Sequence, residues 1–290
     1  MTSSNVQWWP SPAKINLFLH ICGKYDSGYH SLQTLFQLLD FGDHIGIETT
    51  QSGKIELVDN INGVALQDNL IYKAATLLLD FRPTAKLGAK IHLTKRIPLG
   101  GGLGGGSSNA ATTLIALNHL WHCKLSEKAL LALGLKLGAD VPVFINGHSA
   151  FGEGIGEHLT NTQIPTAYYL VATPKSHIST QTIFTHPDLP RDTPLMDFTH
   201  YQFELTHNDC EKLVCKLHDE VANLVNRLIH YAPSRMTGTG ASVFAKFASY
   251  SEAKDVIQHL PEGVSAFVAK GLDVSPLHAK LAEMQTVSHV

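Results

Sequence analysis

The segment from Pro98 to Asn109 constrains this chain more than any other stretch. It reads Pro-Leu-Gly-Gly-Gly-Leu-Gly-Gly-Gly-Ser-Ser-Asn, and an alanine-rich run typical of a helix follows it. Glycine lets the backbone adopt positive φ angles and approach a ligand closely. A helix that begins at Ser107 or Ser108 directs its free N–H groups and the positive end of its dipole at the loop. The segment therefore predicts an anion site, usually one for phosphate, rather than a flexible linker.

Two familiar nucleotide loops fit this segment poorly. A Walker A loop needs Gly-Lys-Ser or Gly-Lys-Thr, which is absent. A G-x-G-x-x-G pattern occurs at Gly100, Gly102 and Gly105, but so many glycines match several patterns by chance. Residues 89–94 alternate apolar and polar side chains, whereas the first strand of a dinucleotide-binding fold is buried on both faces. A dehydrogenase is therefore the weakest of the enzyme hypotheses.

The order of the predicted elements favours an α+β fold, because strands precede helices in each half without strict alternation. Strands are predicted at residues 6–10, 13–22, 32–40, 44–49, 54–58, 89–94, 149–152, 167–172, 243–247 and 264–270. Helices are predicted at residues 70–81, from the glycine loop to 119, and at 127–136, 210–217, 219–231 and 251–260. Phe41 to Asp43 is predicted to connect two strands, and the stretch after Pro276 to be a loose tail. Pro142 disfavours the α region at Val141, which places Asp140 at the end of a turn.

Composition excludes several classes of protein. A formal net charge of −3 argues against bulk nucleic-acid binding. The start of the chain lacks the pattern of a signal peptide, and no apolar run approaches the ~20 residues that span a bilayer. The four cysteines do not have zinc-site spacing. We expect a reduced cytoplasmic protein that binds neither nucleic acid nor membrane.

Three separated segments together resemble the GHMP kinase superfamily, the group of galactokinase, homoserine kinase, mevalonate kinase and phosphomevalonate kinase. They are Pro-Ala-Lys-Ile-Asn-Leu at residues 12–17, the glycine loop at 98–111, and Thr-Gly-Thr-Gly-Ala-Ser-Val-Phe at 237–244. Residues 28–37, 138–144, 183–184 and 208–211 are similar to the branch that serves the non-mevalonate isoprenoid pathway. The resemblance runs from about Trp8 to Leu277, nearly the whole chain.

This resemblance implies a two-domain fold. Residues 1–160 are expected to form an N-terminal ATP-binding and catalytic domain like the second domain of ribosomal protein S5. Residues 161–290 are expected to form a ferredoxin-like domain on the substrate side, with a short tail.

The implied reaction moves the γ-phosphoryl group of ATP to the 2-hydroxyl of a cytidyl-linked methylerythritol, with ATP and Mg²⁺ as cofactors. The expected partners are this small molecule and ATP, and the protein is expected to be a monomer or a homodimer. Another GHMP kinase of the homoserine or mevalonate type is the alternative enzyme, and a non-catalytic nucleotide-binding protein on the same fold is the alternative class.

The resemblance also implies the roles of individual residues. Asp140 is the expected general base, and Lys14 would hold its carboxylate ionised. Without the resemblance, Asp140 is more often a turn residue and Lys14 a solvated strand residue. The expected ATP-binding residues are Pro98, Leu99, Gly100, Gly101, Gly102, Leu103, Gly104, Gly105, Gly106, Ser107, Ser108, Lys95 and Asn69. The expected substrate-binding residues are Asn16, Tyr29, His30, Phe184, Gly238, Thr239 and Gly240. No metal ligand is assigned, because Mg²⁺ takes most of its ligands from water and phosphate.

Overall fold

The computed structural model describes residues 6–61 and 63–287. The strands are β1 (Gln7–Lys24), β2 (His30–Thr50), β3 (Ile55–Leu57), β4 (Gly88–Thr94), β5 (Ala150–Glu153), β6 (His158–Asn161), β7 (Tyr168–Thr173), β8 (Ser234–Met236), β9 (Val243–Phe247) and β10 (Ser265–Leu272). The α-helices are α1 (Leu70–Leu77), α2 (Gly105–Leu120), α3 (Glu127–Leu137), α4 (Val141–Asn146), α5 (Thr180–Thr185), α6 (Asp209–Leu217), α7 (Asp219–Leu228), α8 (Tyr250–Val256) and α9 (Pro276–Val287). Within these ranges no helix is both long and apolar enough to cross a membrane.

The described strands form one 10-stranded sheet with the order β3-β4-β2-β10-β7-β9-β8. β1 and β5 also pair with β2, and β6 pairs with β5. All pairs are antiparallel except β3 with β4. The α+β prediction is confirmed. The Rossmann-type dinucleotide-binding fold requires a mostly parallel sheet, so this topology excludes the fold on which the dehydrogenase hypothesis rests.

β1 and β2 form a long antiparallel ribbon that is longer than the sequence predicts. Each was expected as two shorter strands, and residues 41–43 as a connection, but pairing continues through Pro12 opposite Gly42. A Cβ at Gly42 would overlap the backbone of Ser11, so the absence of a side chain lets the two strands stay close. Irregularities in register, such as the one between Asn16 and Leu19, bend the ribbon without ending it.

Three apolar clusters hold the sheet and helices together. One lies among β1, β2, β4 and α1–α4, and a second among β7–β9 and α6–α8. The third joins β1 to the C-terminal strands, through Ile15 and Leu17 against Tyr169 and Phe244. β10 also pairs with β2 at Leu272 and Leu38, so the two halves share one sheet. The domain boundary at residue 160 stays a prediction.

Two further local predictions are wrong. The stretch after Pro276 is not a loose tail, because it forms α9, whose Leu277 is buried and packs with Leu281 and Met284 on the first cluster. Their spacing places these side chains on one helical face. Val141 is helical, because Pro142 occupies the first turn of α4, where a missing N–H costs nothing.

Candidate active site

A cavity of ≈ 570 Å³ lies where the glycine loop meets the β1–β2 ribbon, α5 and the turn after β8. It brings together most of the predicted site residues, although they are distant in sequence. Those that line it are Lys14, Asn16, Tyr29, His30, Lys95, residues 98–107, Asp140, Phe184, Gly238 and Thr239. Sequence and structure thus agree on which segments surround this cavity.

The glycine loop adopts a conformation that requires glycine. Gly100, Gly102 and Gly104 have φ angles of 67°, 72° and 70°. A Cβ on Gly104 would also lie 2.8 Å from the Phe144 ring and 3.2 Å from Lys14 Cε. Gly104 is therefore required by both its φ angle and its close neighbours.

Helix α2 begins at Gly105, earlier than the predicted start at Ser107 or Ser108. Gly104 in the left-handed region provides the N-cap, and the Ser108 N–H donates to the Gly104 carbonyl at 2.8 Å. The N–H groups of Gly105, Gly106 and Ser107 precede this first helical bond and have no partner within the helix. They form a preorganised group of donors, which suits a phosphate anion.

Lys14 is a buried cation with several close partners. Its Nζ donates to Asn16 Oδ1 at 2.7 Å and to the Gly102 carbonyl at 3.2 Å. The same atom lies 3.1 Å from Asp140 Oδ2. The Lys14 side chain is 3% exposed, whereas that of Asp140 is 39% exposed. Lys14 is therefore not a solvated strand residue, and its ion pair faces the open side of the cavity.

Asp140 occupies the N-cap position of α4, yet its side chain makes no capping hydrogen bond. Its carboxylate instead pairs with Lys14. A helix-cap role for this side chain is thereby excluded. The turn at Gly138, which precedes Asp140, lies close to α2: a Cβ built on Gly138 would be 3.9 Å from Ser107 Oγ.

The turn after β8 closes the cavity from the C-terminal half through backbone contacts. The N–H groups of Ala241 and Ser242 donate to the carbonyls of Gly100 and Gly101, each at 3.2 Å. Thr237 Oγ1 accepts from the Asn16 N–H at 2.8 Å. The glycine loop and β1 are thus both held by this turn.

Asn208, at the start of α6, supports the same turn. Its Nδ2 donates to the Met236 and Gly238 carbonyls, both at 2.8 Å. Its Oδ1 caps α6 by accepting from the Cys210 N–H at 2.9 Å. One buried amide therefore sets the position of α6 relative to a backbone that lines the cavity.

The opposite end of the cavity is aromatic. Tyr29 is 60% exposed, whereas His30 is buried. The rings of His30 and Phe184 are 5.2 Å apart between centroids and tilted by 30°. Burial lowers the pKa of His30 below its ordinary value, and the cations of Arg191 and Lys24 lower it further. The imidazole is therefore neutral near pH 7.

Lys95 lines the cavity beside the entrance to the glycine loop. Its Nζ lies 2.7 Å from Asp43 Oδ2, and Asp43 Oδ1 accepts from the N–H groups of Arg96 at 2.6 Å and Ile97 at 2.7 Å. Burial lowers the pKa of the Lys95 ammonium, and the bond with Asp43 opposes that shift. The Asp43 carboxylate, which is fully buried, anchors the approach to the loop.

Three predicted residues do not line the cavity. Asn69 caps α1 by accepting from the Ile71 N–H at 2.9 Å. Ser108 is buried, and its Oγ accepts from Ser11 Oγ at 2.9 Å. Gly240 donates its N–H to the Thr237 carbonyl inside the turn.

Thr34, Thr180, Asp43 and Arg191 are among the polar residues at or behind the cavity that sequence reasoning missed. Thr34 accepts from Asn16 Nδ2 at 2.9 Å, and Thr180 lies 3.0 Å from Thr239 between hydroxyl oxygens. Asp43 and Arg191 lie behind the cavity wall, where Asp43 accepts from the Arg96 N–H beside Lys95 and Arg191 donates to His30. Of these residues, Thr34 alone could have been found from the sequence, because alternation along β2 places it on the same face as Phe36, which also lines the cavity.

The fold and this cavity define a small-molecule kinase of the GHMP class. The model of the GHMP kinases N terminal domain matches residues 69–148, and that of the GHMP kinases C terminal matches residues 195–266. A 4-diphosphocytidyl-2-C-methyl-D-erythritol kinase of Pseudoalteromonas atlantica is 56% identical, over 98% of this chain and 99% of its own. The enzyme of that name from Colwellia psychrerythraea is 53% identical, over 95% and 93%. This chain belongs to the 4-diphosphocytidyl-2-C-methyl-D-erythritol kinase family.

Solved structures agree with this assignment. A crystal structure of 4-(cytidine 5'-diphospho)-2C-methyl-D-erythritol kinase has a TM-score of 0.80 at 29% identity, over 91% of this chain and 99% of that one. A homoserine kinase from Cytophaga hutchinsonii has a TM-score of 0.68 at 16% identity, over 95% and 96%, and shows the fold alone. The resemblance inferred from the sequence motifs is confirmed, and so is the two-domain GHMP kinase fold.

Proposed function

We propose that this protein transfers the γ-phosphoryl group of ATP to the 2-hydroxyl of 4-diphosphocytidyl-2-C-methyl-D-erythritol, with Asp140 as general base and Lys14 as its cationic partner. Family membership supports the substrate and the reaction. The observation that carries the residue roles is the 3.1 Å ion pair between Lys14 and Asp140 beside the glycine loop. We further expect the enzyme to act in the cytoplasm as a monomer or homodimer, without nucleic-acid or membrane partners.

The glycine loop supplies the triphosphate site in this proposal. Phosphoryl transfer depends on positioning and on neutralising charge more than on covalent chemistry by the protein. The free N–H groups of Gly105, Gly106 and Ser107 at the start of α2 supply donors and the positive end of a helix dipole. Lys95 adds a cation at the edge of the same cavity.

Asp140 and Lys14 act on the acceptor hydroxyl. As the oxygen–phosphorus bond forms, the hydroxyl proton passes to the Asp140 carboxylate, and the bond from the γ-phosphorus to the β,γ-bridging oxygen breaks to release ADP. The Lys14 ammonium keeps Asp140 ionised and favours the alkoxide character of the attacking oxygen. Its bonds to Asn16 and Gly102 hold it in place before substrate arrives.

Magnesium fits this donor set as an ion held mainly by the nucleotide. No group of three or more His, Cys, Asp or Glu side chains able to hold a metal occurs in the described ranges. Asp140, with its partly exposed carboxylate, and Ser107 provide oxygen donors at the cavity. A Mg²⁺ bound there with ATP would take the rest of its ligands from phosphate and water. It would neutralise charge on the transferring phosphoryl group.

The aromatic end of the cavity is proposed to bind the cytidine moiety. Tyr29 and Phe184 supply ring faces for stacking, which is worth roughly 1–3 kcal/mol per base. His30, buried beside Phe184, adds a hydrogen-bonding group. Gly238 and Thr239 line the cavity from the C-terminal half, and we expect them to border the substrate.

The Asp140→Asn variant tests the proposed base. It keeps the size of the side chain and removes its basicity, so kcat should fall by roughly 10²–10⁴-fold while the Kd for ATP changes little. Asp188→Asn is the matched control, because Asp188 pairs with Lys216 on the surface, 2.7 Å away. If Asp140→Asn kept most of its turnover, Asp140 would not be the base.

A panel of acceptors separates the leading function from its alternative. Purified protein is incubated with ATP and the cytidyl substrate, homoserine or mevalonate, and ADP release is measured. Turnover of the cytidyl substrate alone is expected. Turnover of homoserine or mevalonate but not of the cytidyl compound would instead make this a different GHMP kinase. ATP binding without turnover of any acceptor would indicate a non-catalytic nucleotide-binding protein.

A further inference from the structure

Arg191, in the segment after α5, joins this segment to the aromatic end of the cavity. Its Nη1 donates to the Leu189 carbonyl at 2.8 Å, and its Nη2 donates to the carbonyls of His186 at 2.7 Å and Phe184 at 3.1 Å. Its Nε lies 3.0 Å from His30 Nε2. Three backbone carbonyls therefore orient the guanidinium, and its Nε–H is directed at one ring nitrogen.

The chemistry of arginine determines which proton His30 carries. A guanidinium has donors only and stays charged at any ordinary pH. A hydrogen bond from Arg191 Nε to His30 Nε2 therefore needs a lone pair on Nε2. A neutral imidazole with that lone pair carries its proton on Nδ1. Within the described part of the chain, no hydrogen bond joins Nδ1 to another protein atom, and the ring lines the cavity.

We propose that Arg191 is a positioning residue of the substrate site, which holds His30 as the neutral Nδ1–H tautomer so that an N–H donor meets an acceptor atom of the bound cytidine moiety. This inference rests on the proposed function, which assigns the aromatic end to cytidine. Arg191 also holds the Phe184 backbone, so one guanidinium sets both the ring that stacks and the ring that donates.

The surroundings of His30 support a neutral ring. Lys24 pairs with it across the β1–β2 ribbon, and Arg191 contacts it from the other side. Both are cations and both lower the pKa of His30, in addition to the effect of burial. Tyr29, its chain neighbour, is the other titratable group on this part of the cavity wall. No described carboxylate pairs with His30 to favour the imidazolium form.

Nitrogen-15 NMR of the full-length wild-type protein tests the tautomer directly. The ring signals of His30 are assigned by their loss in His30→Gln. We expect the protonated nitrogen to be Nδ1, with Nε2 showing the shift of an unprotonated acceptor, and Arg191→Met to populate the Nε2–H form. A wild-type ring with its proton on Nε2 would overturn the proposal, and this readout does not depend on any Arg191 variant folding.

Binding of the cytidyl substrate without ATP, measured by calorimetry, tests the consequence. At about pH 8, Arg191→Met should bind roughly fivefold to tenfold more weakly than wild type, the effect of one hydrogen bond. Arg191→Met leaves burial and Lys24 in place, and both lower the pKa of His30. At a pH below the pKa of His30 in the variant, determined from its ring nitrogen-15 signals, protonation restores Nδ1–H and the difference should shrink. The KM for ATP should stay within about twofold of wild type, since phosphate contacts lie elsewhere.

The matched control is Arg227→Met, because Arg227 likewise donates to a backbone carbonyl, that of His259 at 3.0 Å, but does so outside the cavity. It should bind like wild type at both pH values. An equal loss for Arg191→Met at both pH values would show that Arg191 only supports the backbone, and no loss would show that it has no role. If wild type neither bound nor phosphorylated the cytidyl compound, the proposed function would fail, while the NMR result would still report on Arg191.

Discussion

Replacing Asp43 by alanine should destabilise the approach to the glycine loop by an amount that the structure allows us to estimate. The Asp43 carboxylate is fully buried and accepts from Lys95 Nζ and from the N–H groups of Arg96 and Ile97. Breaking a buried ion pair by removing one partner costs about 3–5 kcal/mol. The Lys95 side chain is 24% exposed and can turn toward water, so we expect the low end, about 3 kcal/mol.

The assay is thermal unfolding followed by circular dichroism. With an unfolding entropy of about 2.1 cal/mol/K per residue, a loss of about 3 kcal/mol lowers Tm by about 5 °C in a chain of 290 residues. The KM for ATP should rise as well, because Lys95 and the loop both border the cavity. Asp68→Ala is the control: Asp68 pairs with Lys73 on the surface, and its loss should cost less than about 1 kcal/mol. An Asp43→Ala protein that melts within about 2 °C of wild type would show that the buried Asp43 carboxylate contributes little to stability.

Two further predictions concern the loop and the buried histidine. Gly102→Ala introduces a Cβ at a φ of 72° that overlaps the Thr237 carbonyl, so kcat/KM should fall by about tenfold or more. Gly63→Ala is the control, because Gly63 has a φ of 81° but open space around it, and kcat/KM should stay unchanged. Equal kcat/KM in the two variants would contradict the role given to the Gly102 backbone. Burial, with His207 and Arg235, lowers the pKa of His20 to about 4, against an opposing effect of Asp209. The folded state therefore binds fewer protons than the unfolded state, and stability present above about pH 6.5 is lost as the pH falls toward about 4. The free energy of unfolding measured in urea should be about 2 kcal/mol lower at pH 5 than at pH 7 because of His20. His20→Gln should remove this difference, and a difference that persists in the variant would show that His20 is not its source.

The sequence predicted the parts of the site that depend on local backbone chemistry. Consecutive glycines before a helix former indicate a loop that needs positive φ, and the structure has three such glycines in that loop, at positions 100, 102 and 104. Alternation along β1 placed Lys14 and Asn16 on one face, where they share a hydrogen bond of 2.7 Å. These inferences succeed because φ freedom and strand alternation are properties of neighbouring residues.

Elements that depend on distant partners were predicted less well. Residues 41–43 read as a turn because glycine and aspartate favour turns, yet they continue β2, since Gly42 lets β1 approach and Asp43 binds the chain after β4. The stretch after Pro276 has a weakly amphipathic pattern, and only its packing on the first apolar cluster makes it a helix. In both cases tertiary contacts outweigh local preference.

Lys14 and Asp140 show most clearly which features of the site follow from the sequence and which depend on tertiary packing. The glycine loop, the polar face of β1 and, through motif resemblance, the family were all inferred correctly from the sequence. The packing of separate elements buries Lys14 and brings the Asp140 carboxylate to it rather than to the N-terminus of α4. The same packing turns Asn69 and Ser108 away from the cavity. An ion pair needs two side chains within about 4 Å, and that distance is set by how separate elements pack rather than by any local pattern.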